Sequence, residues 1–267
     1  MLGRREFISW LGSFIAGRDD LAADPTPDST AANVILVAGQ SNAVGWNETA
    51  ATVPSLLQGR SGAMIWTGRA WQYLVNGTNN GKLSSNGSKW GCEAEFARLW
   101  ALERNERLFI VKHAIGGTAL ADYWAPGAGT GYVAMISYAT TAKSALAAKG
   151  YTVNCIGLLW MQGESDGVSQ TQANAYYANL STFFARVRSD WGFASMPIVV
   201  GRIADQAELT YRTVVRTAQA EVVAGDGHAA LIDTDAYGND GLHYSTNGIV
   251  NMGADMYAAW KTLTRST

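Results

Sequence analysis

The sequence predicts an α/β protein: a three-layer α/β/α domain around a mainly parallel sheet of five strands. Three observations carry this expectation. Apolar runs of strand length alternate with helical patterns, the mark of βαβ units and a parallel sheet. The first run, residues 33–38 (NVILVA), is continuously apolar, as in a strand buried on both faces. Glycine-rich turns with polar side chains follow four of the strands.

Each element has its own signal. Residues 92–104 (CEAEFARLWALER) have helical spacing, and 107–113 (RLFIVKH) read as the second strand. Residues 131–149 are alanine-rich and helical, and 153–161 (VNCIGLLWM) form the third strand. Residues 170–190 make a long helix with Arg186 and Arg188 late, where they complement the helix dipole. A strand at 197–202, a helix at 206–223, a strand at 229–233 and a helix at 246–263 complete the series. Residues 47–90 break the pattern. They hold MIWTGRAWQYL, a hairpin turning at Thr67-Gly68, and then the Gly/Asn/Ser-rich NGTNNGKLSSNGSKWG. Long irregular segments inside a compact domain usually serve function, and this one follows the first strand, so it is expected over the same end of the sheet.

Composition bounds the function. A chain of 267 residues with 48% apolar content can bury a sizeable core. A net charge of -2 argues against nucleic acid as a partner, which demands a clustered positive surface. No stretch approaches the roughly 20 apolar residues that span a bilayer. Cys92 and Cys155 are far apart and, with three histidines in the chain, point to separate buried thiols rather than a zinc site. No metal or other cofactor is expected. Ten tryptophans in a weakly charged, glycine-rich chain suggest flat apolar surfaces that suit sugar rings, although most are expected in the core.

The amino terminus, MLGRREFISWLGSFIAG, sets Arg4-Arg5 before a short apolar stretch, like a twin-arginine export signal. Arg18-Asp19-Asp20 stands where a small-residue cleavage site belongs. Two expectations follow: an exported or extracellular-facing protein, or an uncleaved segment (residues 1–30) that docks on a partner, as on a virion or cell surface. DPTPDST at 24–30 reads as a linker. The expected division is a signal-like or anchoring segment over 1–32 and the main domain over 33–267.

In open parallel sheets ligands bind beyond the carboxyl ends of the strands. The residues there are Gly39-Gln40-Ser41-Asn42, then His113-Ala114-Ile115-Gly116-Gly117-Thr118, then Gln162-Gly163-Glu164-Ser165-Asp166, and last Asp240-Gly241-Leu242-His243. Acyl transfer needs a nucleophile, a base, an orienter for the base and donors for the developing oxyanion. Ser41 fits the nucleophile. Of the histidines, His228 precedes the fifth strand at the wrong end, and His113 has no adjacent carboxylate. His243 lies three residues after Asp240, a spacing that lets the carboxylate accept from Nδ1 while Nε2 points into the site. The backbone N–H groups of Ser41 and Gly116 and the side-chain amide of Gln162 are the candidate oxyanion donors. Gln40, Asn42 and Glu164 are candidate supports, with Asp166 beside them.

GQSN, AIGGTAL followed by YW, WMQGESDG and DGLHYS together resemble the SGNH (GDSL-like) hydrolase superfamily, and more closely its sialate O-acetylesterase and acetylxylan esterase branch. The resemblance spans about residues 33–262. It implies a flavodoxin-like SGNH hydrolase fold and a metal-independent serine esterase that removes O-acetyl groups from a carbohydrate. It implies Ser41, Asp240 and His243 as the triad, and Gly116 and Gln162 as oxyanion donors. The superfamily's usual Asn in the third block is Gln162 here, within Q-G-E-S-D, which points to the carbohydrate branch. KWGCEAEF at 89–96 is similar to that branch's G-P-E segment with Cys92 in place of proline.

Two rivals stand beside this reading. One is an esterase for a lipid or thioester, which would need a long apolar channel. The other is a non-catalytic carbohydrate-binding or virion-attachment module, which would have no need of all three triad residues. Trp46, Trp66, Trp71, Trp90 and Trp124 fall on the loops of the active end and are candidates to stack a sugar, Trp46 and Trp124 foremost. Trp100 and Trp160 are expected in the core. Asp233 and Asp235 faintly echo a calcium loop, but Tyr237 stands where a ligand is needed.

Overall fold

The computed structural model describes residues 30–81, 87–104 and 106–265. The signal-like segment and nearly all of the linker lie outside the described residues, as do residues 82–86 of the Gly/Asn/Ser-rich stretch.

The chain lays down strands β1 (Ala31–Gly39), β2 (Arg60–Trp66), β3 (Trp71–Val75), β4 (Leu108–Ala114), β5 (Thr152–Met161), β6 (Ile198–Gly201) and β7 (Ala229–Ile232). The helices are α1 (Ser41–Val44), α2 (Glu93–Arg104), α3 (Thr130–Ala147), α4 (Gln170–Trp191), α5 (Arg212–Ala224) and α6 (Thr246–Arg265). The sheet runs β3-β2-β4-β1-β5-β6-β7. Every neighbouring pair is parallel except the β2–β3 hairpin. α2 and α6 pack together on one face, and α3, α4 and α5 cover the other.

The five expected strands are β4, β1, β5, β6 and β7. The sheet has seven because the hairpin turning at Thr67-Gly68 adds two more at the β4 edge. That edge is where Met64 and Ile65 pair with Phe109 and Ile110. The hairpin is therefore part of the scaffold. Its Trp66 and Trp71 pack against each other at 5.5 Å and sink into the core.

The core explains the strand sequences. Val34, Ile35, Leu36 and Val37 of β1 are each 1% exposed, because β1 is central and covered on both faces. Burial of one such side chain stabilises by roughly 1.5–3 kcal/mol. One expected boundary moves. Residues 206–211 form a turn before α5, not its first turns. The Tyr211 N–H donates to Gly167 O at 2.8 Å and Leu209 is buried, so this segment is tied to the turn after β5. Both cysteines are free and buried, and burial pushes the Cys92 thiol up to about 12. No helix among the described residues is long and apolar enough to cross a membrane.

The strand order places the site. From β1 the parallel strands step to β4 on one side, then to β5, β6 and β7 on the other. Such a reversal opens a crevice at the carboxyl end of the strand where it occurs, as in flavodoxin-like sheets. That strand is β1, and Ser41 stands two residues beyond its last residue, Gly39.

Candidate active site

The Ser41 turn is forced by its neighbours. Gly39 pairs with both Ala114 and Met161, so three strands end level. Its φ is 135°, and a Cβ there would lie 1.9 Å from Met161 O, so only glycine fits. The Gln40 N–H donates to Met161 O at 2.9 Å, and Ile115 N–H donates to Gly39 O at 3.0 Å. The chain then turns at once into α1, whose first residue is Ser41. The N–H groups of Ser41 and Gly116 donate to no acceptor among the described residues. Gly116 stands directly beside the serine. A Cβ on it would lie 3.6 Å from Ser41 Cβ and 2.9 Å from the Trp46 ring.

Asn42 binds the serine turn to the His243 loop. Its Nδ2 donates to Leu242 O at 3.2 Å, and its Oδ1 accepts from Tyr244 N–H at 3.1 Å. The residues on both sides of His243 are thus held by the residue next to Ser41. The Asp240 carboxylate accepts the backbone N–H of Leu242 at 3.1 Å and of His243 at 2.8 Å through Oδ1. Its Oδ2 lies 4.0 Å from His243 Nδ1. The His243 amide, then the Asn47 side chain and the Leu242 amide, hold Asp240 at a pKa of about 2. Burial lowers the His243 pKa, and the Asp240 charge opposes that shift. The imidazole stacks on Trp46 with centroids 5.9 Å apart.

The third block has a different part from the one expected. Gln162 is fully buried, and its Nε2 donates to Asp166 Oδ2 at 2.6 Å, Thr118 O at 3.1 Å and Gln40 Oε1 at 3.2 Å. An amide nitrogen has two protons, and buried acceptors use both, so Gln162 is a brace and not an oxyanion donor. It locks the turns after β1, β4 and β5 together. Asp166 completes the lock by accepting from Leu120 N–H at 2.8 Å and Ala121 N–H at 3.1 Å. Gln40 Oε1 also accepts from Ser165 N–H at 3.1 Å. Glu164 Oε1 accepts from Asn42 Nδ2 at 2.6 Å while Oε2 has no partner among the described residues, and burial raises the Glu164 pKa.

Trp124 does not reach substrate. It is fully buried, its indole N–H donates to Thr118 Oγ1 at 2.8 Å, and it packs edge-on against Trp160 and His113. It props up the Gly116 turn from beneath. Trp66, Trp71 and Trp90 are buried as well, and Trp46 is the tryptophan among the described residues that reaches solvent, at 45% exposure. Trp100 and Trp160 are in the core. His113 is a core residue between Trp124 and Tyr138. His228 lies before β7, at the opposite end of the sheet. Asp233 pairs with Arg202 at 2.5 Å, and Asp235 with Arg202 at 2.9 Å and Arg216 at 2.7 Å. These carboxylates brace the loop that leads to Asp240.

Two neighbours of the site, Asn47 and Lys112, carried no signal in the sequence, whereas Glu93 is the acid of the G-P-E-like segment at 89–96. Asn47 Nδ2 donates to Asp240 Oδ2 at 2.8 Å. Below α1, Lys112 Nζ donates to Glu93 Oε1 at 2.7 Å and to Val44 O at 3.0 Å, with both side chains buried. Asn47 lies in a stretch read only as loop and Lys112 in one read only as strand.

Residues 31–262 match the family model described as carbohydrate esterase, sialic acid-specific acetylesterase. No curated protein is similar in sequence to this chain. Among solved structures, a protein from Arabidopsis thaliana shares 22% identity with a TM-score of 0.71, over 86% of this chain and 98% of that one. NanS shares 14% identity with a TM-score of 0.67, over 90% and 99%. A carbohydrate acetylesterase from Xanthomonas citri shares 16% identity with a TM-score of 0.61, over 88% of this chain and 57% of that one. At these identities the structures share the fold.

Proposed function

Because the chain belongs to the carbohydrate esterase family of sialic acid-specific acetylesterases, we propose that it removes O-acetyl groups from a carbohydrate by attack of Ser41 on the ester carbonyl. It is a carboxylic ester hydrolase. His243 takes the Ser41 proton, and Asp240 stabilises the imidazolium that forms. The tetrahedral oxyanion sits on the N–H groups of Ser41 and Gly116, each such donor being worth roughly 2.7–4 kcal/mol in the transition state. His243 then protonates the sugar oxygen that leaves. Water repeats the sequence and releases acetate. Trp46, half-exposed and stacked on His243, supplies a flat apolar face for the sugar ring.

One observation carries the reading. Asn42, next to Ser41, bonds the residues on both sides of His243, and this link between the two turns supports a nucleophile–base pairing. A binding module would have no use for that coupling.

The test is acetate release from acetylated xylan, O-acetylated sialic acid and p-nitrophenyl acetate, by wild type and Ser41→Ala. The expected result is release by wild type and a loss of at least about a thousandfold in the variant. The ranking of substrates then names the sugar. A wild type inert on all three that still binds glycans overturns the esterase mechanism in favour of a binding role.

A further inference from the structure

The segment that follows the Ser41 turn reaches the His243 loop three times. Trp46 stacks on the imidazole at 28° between planes. Asn47 Nδ2 donates to Asp240 Oδ2 at 2.8 Å. Glu48, buried, accepts from the hydroxyl of Thr246, the first residue of α6, at 3.1 and 3.2 Å. The other side of the segment is anchored too. Lys89 Nζ donates to Trp46 O at 2.7 Å, and the Glu48 N–H donates to Gly45 O at 2.8 Å.

Asp240 needs such an anchor. Its side chain is 54% exposed, and its Oδ1 is already held by two backbone amides. The oxygen that faces His243 is Oδ2, and water competes for it. Asn47 is the side chain that pins this oxygen.

We propose that Asn47 is a positioning residue, which holds the Asp240 carboxylate facing His243 and so couples the Trp46 platform to the acid–base pair. The proposal rests on the triad reading above. Other charged groups near the pair come from different elements: Glu208 beside Gly241, Lys89 at the Trp46 carbonyl, Glu48 at Thr246 and Glu164 through Asn42. None of them is hydrogen-bonded to the Asp240 carboxylate, whose partners among the described residues are Asn47 and the amides of Leu242 and His243.

The test pairs Asn47→Ala with the isosteric Asn47→Asp. It follows the His243 imidazole C–H by NMR titration, assigned with His243→Asn, and measures kcat and KM on p-nitrophenyl acetate. In Asn47→Ala the carboxylate turns to water, so the imidazolium loses its partner. His243 then titrates at lower pH, and kcat falls about 10- to 100-fold with KM near wild type. In Asn47→Asp a second carboxylate stands near the imidazole, so His243 titrates at higher pH while kcat still falls. Opposite shifts of one titration with a shared loss of kcat mark positioning. A purely structural role would lower the melting temperature and leave the titration in place. His243 titrating at the wild-type pH in both variants overturns the proposal. A wild type that hydrolyses no ester, with the titration shifts intact, removes the esterase reading and leaves the Asn47 contact standing.

Discussion

In the proposed mechanism the chemistry at Ser41 depends on the protonation of one imidazole. The base must be neutral to accept a proton, and burial lowers the His243 pKa from its usual value. The acidic limb of kcat/KM is therefore expected below the ordinary histidine value of about 6.5, which a pH–rate profile reads directly; a limb above that value contradicts the assignment. Glu164 titrates with the opposite sign. Its folded pKa is raised, so the folded state binds more protons than the unfolded chain once pH exceeds about 4.3, and stability falls as pH rises through that window. Glu164→Gln keeps an oxygen for Asn42 and carries no charge. Thermal melts from pH 4 to 8, roughly spanning that window, are expected to show a smaller loss for the variant than for wild type; parallel losses would show that Glu164 is not the group responsible. The turns that carry Ser41, Asn42, Gly116, Asp240 and His243 could be located in the sequence because glycine-rich turn motifs at strand ends carry their own local logic. The orientation of Gln162 could not. It depends on Thr118, Asp166 and Gln40, which come from three separate turns. Asn47 could not either, since one asparagine in a loop has no period or spacing to mark it.

Between elements, the buried Lys112–Glu93 pair joins β4 to the start of α2 and holds the end of α1 through Val44 O. Glu93 Oε1 also accepts from Asn80 Nδ2 and from Gly91 N–H, both at 2.9 Å, so it ties these two residues to the start of α2. Removing one partner of a buried pair strands the other charge. Lys112→Ala is expected to lose about 3–5 kcal/mol in chemical denaturation, with much of it recovered in Lys112→Met/Glu93→Gln. A loss under about 1 kcal/mol would mean that water already reaches the pair. The alternation of strands and helices made the parallel core legible. The hairpin turn was legible too, through Thr67-Gly68, but not its place in the sheet. A local turn sets the β2–β3 pairing, whereas the β2–β4 pairing joins residues about 45 positions apart. The start of α5 moved for a similar reason, since the partner of Tyr211 is Gly167, far back in the chain.

Across the whole molecule, one feature gathers the four motifs: the reversal of strand order at β1. The turns after β1, β4 and β5 meet there and are locked by Gln162 and Asp166, while Asn42 and Asn47 draw in the Asp240–His243 loop. The tryptophans show how far composition can be trusted. Their number suggested sugar-binding faces, yet the described ones other than Trp46 support the scaffold. Packing decides this, and a large apolar ring reads alike in a core and on a platform. The central claim is that Ser41, activated by this constellation, is the nucleophile. It is tested most directly by treating the native enzyme with a fluorophosphonate and mapping the adduct by peptide mass spectrometry. The account predicts one adduct per chain, on Ser41, with esterase activity lost in step and labelling abolished by His243→Ala. Full ester hydrolysis with Ser41 unlabelled, or activity lost with the adduct on another residue, would contradict it.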